Sequence, residues 1–160
     1  MTIVPSALAS ETCRQTGIAG LTFPEQLVLW ALRQWTTSRE SWPCVEREFR
    51  RVCHGAAGVI AARAMAESIS LIGARSRREV QCHSLACRQV SADESALLAL
   101  IAASQASDRY TAEAQARDFM PDSLVPVLLE SIAVLGAALA AADRALPPRY
   151  AMPDQGVTIH

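Results

Sequence analysis

Two capping boxes, each followed by an apolar helical repeat, constrain the fold of this 160-residue chain more than any other feature. Thr22 and Glu25 form the first box, and Ser91 and Glu94 form the second. In a capping box, the hydroxyl side chain accepts a hydrogen bond from the first helical turn, and the Glu reaches back to the N–H of the cap. Each box therefore predicts the start of a helix.

Apolar residues recur at helical spacing along most of the chain. After Thr22, the residues Val28, Ala31, Leu32 and Trp35 lie on one helical face. Similar patterns predict further helices over residues 43–53, 56–72, 92–105, 110–119 and 123–145, with Gly55 and Gly73 as helix ends. The fold class that follows is all-α, a compact bundle of five or six helices.

A weak strand signal interrupts this helical pattern. Val80 and Cys82 alternate with polar neighbours, which predicts a short strand and at most one β-hairpin around residues 78–90. The length and the 51% hydrophobic content fit a single domain. We expect a flexible arm or short helix over residues 1–20, one helical domain over 21–146 and a flexible tail over 147–160.

Charge and cysteine content bear on location. The net charge of −1 gives no global attraction to nucleic acid or to an anionic membrane. Five cysteines, without a secretory signal, favour a reducing cytoplasm. The apolar segment 124–142 has the length of a membrane span, but Glu130 and Pro126 interrupt it. We therefore expect no membrane, and interpret this segment as a buried or interface helix.

The stretch EVQCHSLACRQVSADE, residues 79–94, contains the main candidate for chemistry. Cys82, His83 and Cys87, together with Cys53, make up a Cys₃His set for zinc or an iron–sulfur cluster. No CxxC pair is present, and free cysteine is commonly a buried, small apolar residue. Core cysteines and a reversible Cys82–Cys87 disulfide are the alternatives to a metal site.

The second and third helices also resemble a helix–turn–helix, with the basic ARSRR segment after them as a wing. Arg63 is the one residue of the third helix suited to base edges, and Arg75, Arg77 and Arg78 are candidates for phosphate contacts. The alternative interpretation of these arginines is a solvated basic loop.

Glycine-rich phosphate loops, zinc-protease motifs and nucleophile elbows are absent from the sequence. We therefore expect a small non-catalytic regulatory or protein-interaction module. The Cys/His metal site is a further hypothesis about this module. Its partner is another protein or a second copy of the chain, and Trp42 is a candidate contact. The alternative is a winged-helix-like DNA-binding regulator.

Overall fold

The computed structural model describes residues 3–5 and 17–148 and confirms an all-α bundle. Within these residues, six α-helices and two short strands follow in chain order, with 3₁₀ turns between some of them. They are β1 (Ile3–Pro5), α1 (Phe23–Thr37), α2 (Trp42–Cys53), α3 (Ala56–Arg75), β2 (Val80–Cys82), α4 (Ala92–Gln105), α5 (Arg109–Phe119) and α6 (Val125–Ala141).

Both predicted capping boxes form. The Glu25 carboxylate accepts hydrogen bonds from the N–H and the hydroxyl of Thr22, at 2.8 and 2.9 Å. At α4, the Ser91 hydroxyl accepts from the Glu94 N–H at 3.1 Å, and the Glu94 carboxylate accepts from the Ser91 N–H at 2.8 Å. These bonds satisfy backbone groups that have no partner inside the helix.

The predicted boundaries of two helices are wrong. Gly73 does not end α3, which continues to Arg75 before the Ser76 N–H closes the last turn on the Ile72 carbonyl. The last helix begins at Val125 after a 3₁₀ turn over Asp122–Leu124, and it ends at Ala141. Gly55, the other predicted helix end, does separate α2 from α3 with a left-handed φ of +63°.

The predicted strand is present, but it does not form the predicted hairpin. β2 pairs in parallel with β1, with Ile3 opposite Val80 and Pro5 opposite Cys82. The segment after β2 turns toward α4 because Gln81 and Ser91 are joined through the Ser91 hydroxyl, at 2.7 Å from the Gln81 carbonyl. Residues 6–16 and 149–160, where most of the predicted arm and tail lie, are outside the described residues.

Helices α3 and α6 run antiparallel along each other. At one end, Arg77, just after α3, forms an ion pair with Asp122, just before α6. At the other end, the charge of Arg144, just after α6, acts on the thiol of Cys53, just before α3. The core between the helices is apolar, and the large side chains of Phe49, Met65 and Leu128 are completely buried in it.

Candidate functional site

A buried arginine organises the segment that carries the cysteines and the histidine. Arg33, on the inner side of α1, is only 2% exposed. Its guanidinium forms a bidentate ion pair with Glu94, with Nε–Oε1 at 2.8 Å and Nη2–Oε2 at 2.9 Å. Nη1 donates to the carbonyls of Ser84 and Cys87, at 3.2 and 2.6 Å, and Nη2 donates to the Gln89 carbonyl at 2.6 Å. One side chain therefore fixes three carbonyls of the loop, which we call the Arg33-bound loop, residues 83–91.

Glu94 completes this arrangement from the first turn of α4. Besides Arg33, its carboxylate accepts from the backbone N–H groups of His83 and Ser91, at 3.1 and 2.8 Å. Burial by itself raises the pKa of Glu94, but hydrogen bonds from Arg33 and Ser91 outweigh it, and the pKa lies below its ordinary value. Glu94 is therefore ionised, and the pair is a charged structural link between α1, the loop and α4.

A second ion-pair network lies at the same end of α4. The Arg78 guanidinium contacts both Asp93 and Asp118, at 2.7 and 2.6 Å. Asp93 also accepts from the Gln81 backbone N–H at 2.6 Å. This network joins α5 and β2 to the start of α4. It therefore fixes the two segments that flank the Arg33-bound loop, which are β2 and the first turn of α4.

Cys82 has the surroundings of a structural thiol. It is fully buried, and its Sγ lies 3.3 Å from Oε1 of Glu94 and 3.7 Å from the Thr36 hydroxyl. Burial, followed by the negative charge of Glu94, raises the pKa of Cys82 to about 12. Because the thiolate is the form that attacks electrophiles and binds metals, Cys82 is a poor nucleophile and a poor ligand in this conformation.

The four predicted metal ligands are not gathered into one site. Within residues 3–5 and 17–148, no three His, Cys, Asp or Glu side chains lie close enough together to hold a metal ion. Cys53 is buried at the end of α2, where burial raises its pKa, and it lies near Arg144. His83 is 7% exposed, and no partner for its buried Nε2 exists among the described residues.

The thiols should differ strongly in reactivity. Among the four cysteines of the described residues, we expect exposed Cys44 to react first during alkylation of the native protein at pH 7.5, followed by peptide mass spectrometry. We expect Cys87, which is half-buried, to react more slowly, and Cys53 and Cys82 to react only as the protein unfolds. Added zinc should leave these rates unchanged. Alkylation of Cys82 as fast as Cys44, or zinc-dependent protection of Cys82 and Cys87 together, would contradict this interpretation.

The arginines predicted to bind DNA are mostly engaged within the chain. Arg63 pairs with Glu67 on the same helix, Arg77 pairs with Asp122, and Arg78 pairs with two aspartates. Arg75 lies exposed at the end of α3. The first turns of α3 present Val59 and Ile60 to solvent, about half exposed, rather than side chains that read base edges. Most of these pairs are exposed to water, and DNA binding by these arginines stays a prediction.

Trp42, the predicted partner contact, packs against the core. It is half-buried and lies edge-on to Trp35, with ring centroids 5.0 Å apart. The Arg39 guanidinium lies over the Trp35 ring, 5.1 Å from its centroid. The two rings fix the turn between α1 and α2, and a role of Trp42 in partner binding stays a prediction.

Comparison of the chain with protein-family models, with curated proteins and with solved structures finds no match. Two helical segments of the described chain, Ala56–Arg75 and Asp122–Ala141, are long and apolar enough to cross a membrane. Helices in the core of soluble proteins pass the same test, so this finding is weak evidence.

Proposed function

We propose that this protein is a small non-catalytic protein-interaction module. The observation that carries the proposal is the outer face of α6, which is almost free of charge. Eight residues of α6 are exposed. Seven of them are apolar or small, namely Pro126, Val127, Ala133, Val134, Ala137, Ala140 and Ala141, and the eighth is Glu130.

Another surface helix of the same protein has a different outer face. The exposed residues of α2 include Glu46, Arg47, Arg50 and Arg51, as expected for a helix in contact with water. On α6, Val127 and Val134 are 47% and 44% exposed. A contiguous exposed apolar face on a helix is typical of a contact surface for another macromolecule.

The Cys/His segment has a structural role, and this role agrees with the proposal. The buried Arg33–Glu94 pair and the raised pKa of Cys82 are suited to a rigid scaffold rather than to nucleophilic catalysis. A contact surface on α6 does not depend on a metal. The process that such a module regulates is determined by the partner that it binds.

Site-specific photocrosslinking tests the proposed function. A benzophenone side chain in place of Val134 should yield a discrete covalent adduct in cells of the source organism, identified by mass spectrometry. The matched control places the same group at Glu46, on the charged outer face of α2. A Val134 adduct that is absent at Glu46 and absent when Ala137 is also replaced by Glu supports the proposal. Identical patterns at the two positions would contradict it.

A further inference from the structure

We propose that a groove between α1 and α2 binds a small amphipathic anion, which is an apolar molecule with one carboxylate. Phe23, Leu27 and Trp30 line this α1/α2 groove from α1, and Cys44 and Arg47 line it from α2. Its volume is about 460 Å³, within the range of small-molecule sites, and such sites combine apolar and aromatic walls with a few polar groups. None of the described lining residues belongs to α6, so this site goes beyond the proposed function.

The α1 wall of the groove is a continuous apolar stripe. Phe23, Leu27 and Trp30 are spaced at i, i+4 and i+7, so they share one face of α1. Leu27 is buried, Trp30 is half-buried and Phe23 is 50% exposed, so the stripe leads from the core to the surface. Because seven helical residues rise about 10 Å, the groove accommodates an apolar body of about that length.

The size of the groove favours a small molecule over a protein partner. A specific protein interface takes about 800 Å² from each partner, which is a patch roughly 30 Å across. The apolar stripe of the groove covers about a third of that length. We therefore infer a ligand with a short aliphatic or aromatic body.

The arginines at the groove favour an anion. Arg47 is exposed in the α2 wall, and no carboxylate among the described residues pairs with it. The Arg144 guanidinium lies 5.7 Å from the centroid of the Phe23 ring, and it also has no ion-pair partner in that part of the chain. The buried Nε of Arg144 lacks a hydrogen-bond partner there as well. A bound carboxylate would supply the missing negative charge.

The acidic side chain of the groove is already neutralised. Glu48, which also lines the groove, accepts from the Arg51 Nε at 3.0 Å, and this hydrogen bond lowers the pKa of Glu48. The amide nitrogen of Gln26, the remaining lining residue, donates to the Leu21 carbonyl at 2.9 Å. Arg47 is therefore the charged group of the wall that is available to a ligand.

The start of α2 and the indole of Trp30 add to the preference for an anion. Cys44 lies in the first turn of α2, which contains no acidic residue and has no side-chain cap. The positive end of the helix dipole is therefore not neutralised there. The Trp30 N–H donates to no acceptor among the described residues. An uncharged or cationic amphiphile of the same length would leave Arg47 without a partner.

Protection of Cys44 from iodoacetamide tests this proposal on the full chain. Cys44 is an exposed thiol in the groove wall, so a bound ligand should cover it. The probe is octanoate, and octanol and octyltrimethylammonium are the controls with the same chain. At about 3 mM, we expect octanoate to slow Cys44 alkylation at least fivefold, which corresponds to about 80% occupancy. The two controls should have little effect, and alkylation of Cys87 in the same sample should not change.

Two variants locate the bound probe. Arg47→Glu should weaken octanoate binding about tenfold, the loss expected for one charge-assisted hydrogen bond. Phe23→Ser should weaken it as well, because it removes the outer part of the apolar stripe. Arg50→Glu is the matched control, since Arg50 is exposed on the same helix outside the groove, and it should bind octanoate like the unmodified chain.

Three outcomes would overturn the proposal. The first is alkylation of Cys44 at the same rate with and without octanoate. The second is equal protection by octanol or by octyltrimethylammonium, which would reduce the groove to an apolar surface without preference for an anion. The third is protection by octanoate that survives both Arg47→Glu and Phe23→Ser while the variants keep the thermal midpoint of the unmodified chain.

Discussion

Replacing Arg33 with Met should lower the free energy of unfolding by about 3–5 kcal/mol. The variant leaves the Glu94 carboxylate buried without its cation, and the side-chain exposures of Arg33 and Glu94 are only 2% and 0%. It also removes the donors that serve the carbonyls of Ser84, Cys87 and Gln89. Chemical denaturation followed by circular dichroism measures this loss, since all six helices report on unfolding.

The matched control is Arg51→Met, which breaks the exposed pair with Glu48 on α2. Exposed ion pairs contribute little because water screens them and the side chains lose freedom. We expect the unfolding midpoint of this control to equal that of the unmodified chain. If Arg33→Met were as mild as Arg51→Met, the buried pair would not be the main link between α1 and α4.

The same pair makes stability depend on pH. Burial opposes ionisation of Glu94, but the hydrogen bonds from Arg33 and Ser91 prevail, so the folded-state pKa lies below the unfolded one. A carboxylate with a lowered folded pKa contributes stability above its unfolded pKa of about 4.3, and this contribution is lost as the pH falls through the folded value. Glu94→Gln should therefore show a shallower decline of stability below about pH 4.3 than the unmodified chain, although it is less stable at pH 7.

Gly58→Ala is the second large effect, with an expected loss of about 2–3 kcal/mol. A Cβ atom at Gly58 would lie 2.5 Å from the Phe49 carbonyl oxygen and 2.6 Å from the Arg50 Cα. Both are backbone atoms of α2, so relief requires that α2 and α3 move apart. Alanine is the better helix former by about 1 kcal/mol, and the steric conflict exceeds that gain. Thermal and chemical unfolding measure the difference.

Gly136→Ala is the control for this effect on another helix. Its Cβ would meet the Gln105 Cγ at 2.9 Å. That atom belongs to a side chain, so relief requires a shift of Gln105, whose amide bonds the Gly136 carbonyl and the Leu146 N–H, rather than the separation of two helices. We expect a stability within about 1 kcal/mol of the unmodified chain, because the gain in helix propensity offsets the disturbance of Gln105. Equal losses of stability at the two glycines would indicate that the close approach of α2 to α3 at Gly58 is not the cause of the loss.

The helices are predictable from the sequence because their signals are local. The Thr22 and Ser91 capping boxes, the prolines near the starts of helices and the apolar spacing all lie within a few residues of the structure that they specify. Gly73 predicted a wrong helix end because a glycine can lie inside a helix when the residues after it still favour helical structure. The parallel pairing of β2 with β1 joins residues about 77 positions apart, and no local pattern specifies such a partner.

The candidate site was predictable in composition but not in arrangement. Cys82, His83 and Cys87 were recognisable as a cluster along the chain, but the residue that holds the loop is Arg33, which lies 61 positions from Glu94. One signal was present: Arg33 follows Leu32 and is one helical turn beyond Leu29, on the side of α1 that faces the core. Glu94 already had a complete local explanation as a capping residue, which concealed its second role.

Hydrogen exchange of the loop amides tests most directly whether Arg33, rather than a metal, holds the Cys/His segment. The informative amides are those of His83, Cys87 and Ser91, which donate to Glu94 or to the Ser84 carbonyl. Relative to amides of α6 in the same sample, we expect these three to remain protected in the unmodified chain treated with a strong chelator. We expect them to lose protection in Arg33→Met with or without zinc. Loss of protection on chelation, together with retention in Arg33→Met, would contradict the structural role of the buried ion pair and establish a metal in its place.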